Sequence, residues 1–213
     1  MFKSVIAALV MGWTVGAALP ATAAAQTEMR DRQVEACETG TRGFDCYLAA
    51  DVFGDMMVVE ERNRLLNLAC QRDYTYCATA GLAQMEEQPY SYAEPNVNYE
   101  TALEALERGC RAHFSHNDQG PAACLRAGEI NTEGLTGGSP YSYIRQDRAE
   151  AQRLFRHGCE RHNDDDNCVA LATLLVDHYS DKQSQGEALE LFRISCRRGN
   201  DASCDRVARF IDY

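Results

Sequence analysis

The ten cysteines are the residues of this sequence with the most specific chemistry, and they occur as five close pairs. Between 6 and 13 residues separate the two cysteines of a pair. Paired cysteines form disulfides or bind zinc, but no C-x-x-C zinc spacing occurs here. An even number in an exported chain favours disulfides, although spacing alone leaves their connectivity open. The nearest-neighbour bridges are Cys37–Cys46, Cys70–Cys77, Cys110–Cys124, Cys159–Cys168 and Cys196–Cys204.

The first twenty-five residues have the three-part pattern of a secretory signal. Lys3 precedes an apolar run at 5–19, and small residues follow up to Ala25. The run is shorter than the roughly 20 residues needed to span a bilayer, so a retained anchor is the weaker interpretation. We expect residues 1–25 to be removed and the mature protein to be exported, in the periplasm or secreted from a bacterium, where disulfides form.

The charge of the chain excludes two classes of partner. Its formal net charge is -11 at pH 7, and no basic stripe is present. Nucleic-acid binders carry such stripes, and anionic membrane surfaces attract basic segments. We therefore expect no nucleic-acid partner and no membrane association once the signal is removed.

Aligning the chain on the first cysteine of each pair reveals an internal repeat. The segments AQRLFRHGC (151–159) and ALELFRISC (188–196) share A-x-x-L-F-R-x-x-C, and 62–70 and 102–110 follow the same register. Residues 29–37 form a degenerate first copy, as is usual for a terminal repeat. The fourth residue after each second cysteine is always small: Ala50, Gly81, Gly128, Ala172 and Ala208.

This repeat predicts two helices per copy. The positions 8, 5 and 4 residues before the first cysteine lie with it on one helical face. Capping boxes are predicted at Asp147 with Glu150 and at Ser184 with Glu187, and Pro121 suits the first turn of a second helix. The expected fold is all-α, an α/α solenoid with one disulfide in each repeat. The approximate repeat boundaries are 27–58, 59–97, 98–145, 146–182 and 183–213.

The chain resembles Sel1-like repeats in three features. These are the A-x-x-L-F ends of the first helices, the short loops between cysteines and the C-x-x-x-[A/G] starts of the second helices. Sel1-like repeats are relatives of the tetratricopeptide repeats, and the cysteine-rich secreted branch includes the Helicobacter cysteine-rich proteins. The resemblance covers nearly all of the mature chain. It implies a scaffold for protein or peptide interaction, which we expect to be monomeric.

The cysteine-rich branch also implies an alternative, a protein that binds penicillin or peptidoglycan fragments and has weak β-lactamase activity. That activity usually requires the motifs S-x-x-K, S-D-N and K-T-G, none of which occurs here. Ser180, Asp181 and Lys182 form the nearest arrangement, with the wrong spacing. No catalytic residue is therefore predicted.

The sequence PYSY occurs twice, at 89–92 and at 140–143, in the long connections after neighbouring repeats. Equivalent connections of a solenoid lie along one edge, and tyrosine combines a large apolar body with a polar tip. One hypothesis is an aromatic surface for a peptide or glycan. The other is that these side chains pack over the ends of their own helices. The predicted binding residues are Tyr90, Tyr92, Tyr141 and Tyr143.

Two polar loops contain possible metal ligands. His113 and His162 each lie three residues after a first cysteine, with His116 nearby, and NDDDN at 163–167 is rich in oxygen ligands. The second segment lacks the alternation and glycine of an EF-hand loop. We interpret both as polar loops, with a helix cap at Asn167 or Asp166. No metal and no cofactor are predicted.

Overall fold

The structure is a computed structural model that describes residues 23–52, 57, 59–86, 98–112, 118–137 and 142–211. These residues form ten α-helices, one short 3₁₀ turn (Tyr74–Tyr76) and two short strands, β1 (Leu135–Gly137) and β2 (Ser142–Ile144). The helices are α1 (Ala23–Thr39), α2 (Gly43–Val52), α3 (Val59–Arg72), α4 (Cys77–Glu86), α5 (Tyr99–Arg111), α6 (Gly120–Glu133), α7 (Arg148–Arg161), α8 (Asp165–His178), α9 (Lys182–Arg197) and α10 (Asp201–Ile211).

The helices form five successive pairs, and the predicted all-α solenoid is confirmed. Each helix packs mainly against the helices before and after it in the chain. Buried apolar residues extend from one pair to the next; Ala105 of α5, for example, joins the core of the first two pairs. An array of this kind is stable because each repeat buries its apolar face on its neighbours.

One disulfide joins the two helices of every pair. The five bonds connect the nearest-neighbour cysteines predicted from the sequence, and no cysteine is free. The Cα atoms of the bonded cysteines are 4.4 to 4.7 Å apart. In the chain-entropy model, each loop of this length contributes about 2.5 to 3 kcal/mol to stability.

The apolar positions of the repeat lie in the core, as their helical spacing predicts. Leu154 and Phe155 of α7 are buried, as is Leu106 of α5. The first helix differs, because no helix pair precedes it in the described part of the chain, and Met29 is 48% exposed.

The small residue after the second cysteine permits close approach of the next repeat. A Cβ atom at Gly128 would lie 2.6 Å from Cδ1 of Phe155, and one at Gly81 would lie 2.6 Å from Cγ of Leu106. Ala172 is also fully buried. Ala208 is exposed, because no described helix covers that face of α10.

The capping predictions are correct at one helix and wrong at two. The Asp147 carboxylate accepts a hydrogen bond from the backbone N–H of Glu150 and caps α7, as predicted. Helix α9 begins earlier than expected, because Asp181 caps it and accepts from the N–H of Ser184 at 2.9 Å. Ser184 is therefore a first-turn residue and not the cap.

The cap of α8 is Asp164, and not Asn167 or Asp166 as predicted. Asn167 is fully buried and donates from Nδ2 to the carbonyl of Pro121, at 2.9 Å, in the preceding repeat. The side chain fits because Gly158 of α7 leaves the space that a Cβ would fill. Among the other residues of NDDDN, Asp165 pairs with Arg198 at 2.7 Å. The side chains of this loop therefore stabilise helix and repeat contacts.

Candidate interaction surface beside the connecting hairpin

A β-hairpin connects α6 to α7 and presents one of the predicted binding residues. Strands β1 and β2 pair antiparallel, with Leu135 opposite Ile144 and Thr136 opposite Tyr143. Successive side chains of a strand point to opposite faces. Ile144 accordingly packs in the core and is 8% exposed, whereas the adjacent Tyr143 is 62% exposed.

The hairpin is attached firmly to the end of α6. Gly134 has a φ of 75°, which favours glycine, and its N–H donates to the carbonyl of Ile130 at 2.7 Å. The side-chain amide of Gln146 donates to the carbonyl of Glu133 at 3.1 Å. The N–H of Asp147 donates to the carbonyl of Asn131 at 2.7 Å. Tyr143 is therefore exposed on a connection whose two ends are fixed.

An open depression lies beside the exposed tyrosine. Its volume is about 510 Å³, within the range of small-ligand sites. Opposite charges, Glu133 and Arg145, lie on its wall. The lining residues are Glu133, Gly134, Leu135, Thr136, Tyr143, Ile144, Arg145 and Gln146.

Three of the four predicted tyrosines, Tyr90, Tyr92 and Tyr141, lie outside the described residues. The proposed aromatic surface is therefore described at Tyr143 alone, and its full extent stays a prediction. At Tyr143 the side chain is largely exposed.

His162 contacts the preceding repeat. Its Nε2 lies 3.0 Å from the carbonyl oxygen of Cys110, and its ring lies 5.6 Å from the ring of His157. His113 and His116 are outside the described residues. In the described ranges, no group of three or more histidine, cysteine, aspartate or glutamate side chains could hold a metal ion.

The contact of His162 belongs to a pattern that the sequence analysis missed. The carbonyl of a first cysteine lies near the end of its helix, where backbone acceptors lack partners within the helix. Arg72 donates to the carbonyl of Cys37, and Arg108 donates to that of Cys70 at 3.2 Å. Each donor belongs to the repeat after the one whose carbonyl it contacts, and it lies within three residues of the first cysteine of its own repeat. This regular spacing could have revealed the pattern in the sequence. Side chains near the next cysteine thus link successive repeats at the disulfides.

The arrangement Ser180, Asp181 and Lys182 has a structural role through Asp181. All three side chains are exposed at the start of α9. The pKa of Asp181 is lowered because the hydroxyl and the backbone N–H of Ser184 donate hydrogen bonds to its carboxylate. This carboxylate therefore acts as a helix cap.

The fold is similar to that of a solved structure. No family model and no curated protein matches this chain. The crystal structure of a Sel1 repeat protein from Oxalobacter formigenes superimposes with a TM-score of 0.57, at 11% sequence identity. The match covers 85% of this chain and 74% of that one. The likeness defines the class of fold, a solenoid of the kind formed by Sel1 repeats.

The described part of the chain contains no helix that is both long enough and apolar enough to cross a membrane.

Proposed function

We propose that this chain is an exported Sel1-like repeat scaffold that binds a protein or peptide partner. The observation that supports it best is the exposure of Tyr143 on an anchored hairpin beside a depression of about 510 Å³. Tyrosine is enriched in interfaces, because a rigid apolar ring and a hydroxyl lose little entropy on binding. The cysteine register and the fold likeness support membership of the Sel1-like family.

Export is supported by the disulfides. All ten cysteines are bonded, and structural disulfides persist in oxidising compartments such as the periplasm and the extracellular space. Residues 1–22 of the proposed signal (1–25) lie outside the described residues, and the expected cleavage point after Ala25 lies within α1. The repeat boundaries and the monomeric state form part of the same proposal.

Selection of peptides on the oxidised protein tests the proposed surface. Peptides selected from a displayed random library should bind the Tyr143→Ala variant at least tenfold more weakly than the wild type. Tyr74→Ala is the matched control, because Tyr74 is 54% exposed on the short 3₁₀ turn, away from the hairpin. An equal loss of peptide affinity in the two variants would contradict an interaction surface at the hairpin. So would a selection that enriches no peptide.

The alternative is a protein that binds penicillin or peptidoglycan fragments and hydrolyses β-lactams weakly. No arrangement among the described residues favours it over the scaffold. Saturable turnover of a chromogenic β-lactam by the purified protein, absent from a mock preparation, would replace the scaffold proposal by this one.

A further inference from the structure

A second groove lies between the fourth and fifth repeats, at the ends of α8 and α10 and the start of α9. Its volume is about 460 Å³. Val176 and Phe210 supply apolar surface and pack partly into the core shared by these two repeats, where the Phe210 ring lies 6.3 Å from that of Phe192. The lining residues are Val176, Gln185, Arg206, Arg209 and Phe210.

Two unpaired cations border this apolar surface. Arg206 and Arg209 are exposed and three residues apart, and neither forms a hydrogen bond or ion pair in the described structure. Like charges at this spacing on a helix repel each other. Most other described arginines have a carboxylate partner, as Arg156 has Glu187 and Arg193 has Glu190. An anion in the groove would relieve the repulsion.

Two described carboxylates that are close to these residues in the sequence do not pair with the arginines. Asp177 follows Val176, and Asp205 precedes Arg206, but neither forms an ion pair with the two arginines. Gln185 is already held by a hydrogen bond from its Nε2 to the carbonyl of Tyr179 at 2.6 Å. The groove therefore combines a fixed wall and an apolar floor with two free guanidinium groups.

We propose that this groove binds a peptide segment of a partner protein that carries a carboxylate next to an apolar side chain. The carboxylate would accept strong, charge-assisted hydrogen bonds from the guanidinium groups. The apolar side chain would cover Val176 and Phe210. Charge complementarity points to this partner, because Arg206 and Arg209 place two positive charges without a carboxylate partner beside the apolar surface. This inference rests on the proposed function only because both describe peptide binding, one at the hairpin of Tyr143 and the other at this groove. The residues differ, so each can fail alone.

Binding of defined peptides tests the groove. The probe is a fluorescein-labelled hexapeptide of alternating Glu and Leu, measured by anisotropy against the intact oxidised protein. Matched probes replace Leu by Gly or Glu by Lys. The double variant Arg206→Gln/Arg209→Gln should weaken binding of the Glu–Leu peptide at least tenfold. The control Arg148→Gln/Arg197→Gln removes the same charge from two other exposed arginines without partners and should leave the affinity within twofold.

Three results would overturn the assignment. One is that the Glu–Leu peptide fails to bind, or binds no better than the Glu–Gly peptide. Another is an equal loss in the two double variants, which would indicate a general charge effect. The third is dimerisation in sedimentation experiments that Arg206→Gln/Arg209→Gln abolishes, because the groove would then hold a second copy of this chain.

Discussion

The guanidinium of Arg72 lies 3.0 Å from the Sγ atom of Cys46, against the disulfide of the preceding repeat. The same nitrogen donates to the carbonyl of Cys37. One side chain therefore contacts both halves of the first bridge and fixes the second repeat on the first.

The Arg72→Gln substitution should lower the free energy of unfolding by about 2 kcal/mol, because hydrogen bonds from charged groups contribute about 1.5 to 3 kcal/mol. Urea denaturation of the oxidised protein measures this. Arg126→Gln is the control, because Arg126 forms an exposed pair with Glu129 within one helix, worth less than about 0.5 kcal/mol. Similar losses in the two variants would show that Arg72 does not link the repeats.

Gly109 is the position where an added methyl group should be most damaging. A Cβ there would lie 2.5 Å from the Cα of Ala78 in the previous repeat, and the backbone cannot move aside easily. Gly109→Ala should destabilise the protein by about 2 to 3 kcal/mol, the upper part of the usual range of about 1 to 3 kcal/mol for overpacking.

Gly186 is the matched control for this substitution. It lies within α9, and a Cβ there would meet nothing within 4 Å. Gly186→Ala should stabilise the protein by up to about 1 kcal/mol, the difference in helix propensity. The melting temperatures of the two variants measure this difference. An unchanged melting temperature for Gly109→Ala would show that the second and third repeats do not pack closely at this position.

Intact mass spectrometry should count the disulfides and show that penicillin forms no covalent adduct. The oxidised protein should be lighter than the reduced one by about two mass units for each of its bridges. Incubation with penicillin should leave no adduct. A stable adduct would identify a nucleophile that the described residues do not reveal and would favour the β-lactam alternative.

The cap at Asp181 should make the stability of the last repeat depend on pH. Its folded pKa lies below the ordinary value because of the hydrogen bonds from Ser184. The ionised carboxylate therefore contributes stability above the unfolded pKa of about 3.9, and this contribution is lost as the pH falls through the folded value.

Thermal unfolding between pH 2 and pH 6 tests the effect of this cap. Asp181→Asn should lower the melting temperature most at pH 6, and the difference from the wild type should shrink towards pH 2. Asp205→Asn, a substitution at an exposed residue in the middle of α10 that caps no helix, is the control. A difference for Asp181→Asn that does not change with pH would mean that the charge of the cap contributes nothing.

The sequence by itself determined the repeat, the helix pairs and the disulfides, because these depend on residues close together in the chain. A helix that ends near Cys159 and another that begins before Cys168 leave the two sulfurs within reach of each other. The helix starts were harder to predict, because polar loops offer several capping residues. Asp181 and Asp164 were the caps where Ser184 and Asn167 had been expected.

Only the tertiary structure decided how the repeats contact each other and which surfaces stay open. Arg72 reaches Cys46 across 26 positions, and Asn167 reaches Pro121 across 46. The exposure of Tyr143 depends on a hairpin whose adjacent Ile144 is buried in a core built by helices α4 to α7. The groove at Arg206 and Arg209 needs Val176 from another helix. Such contacts depend on the angle and distance at which whole helices pack, and no local pattern of residues encodes that geometry.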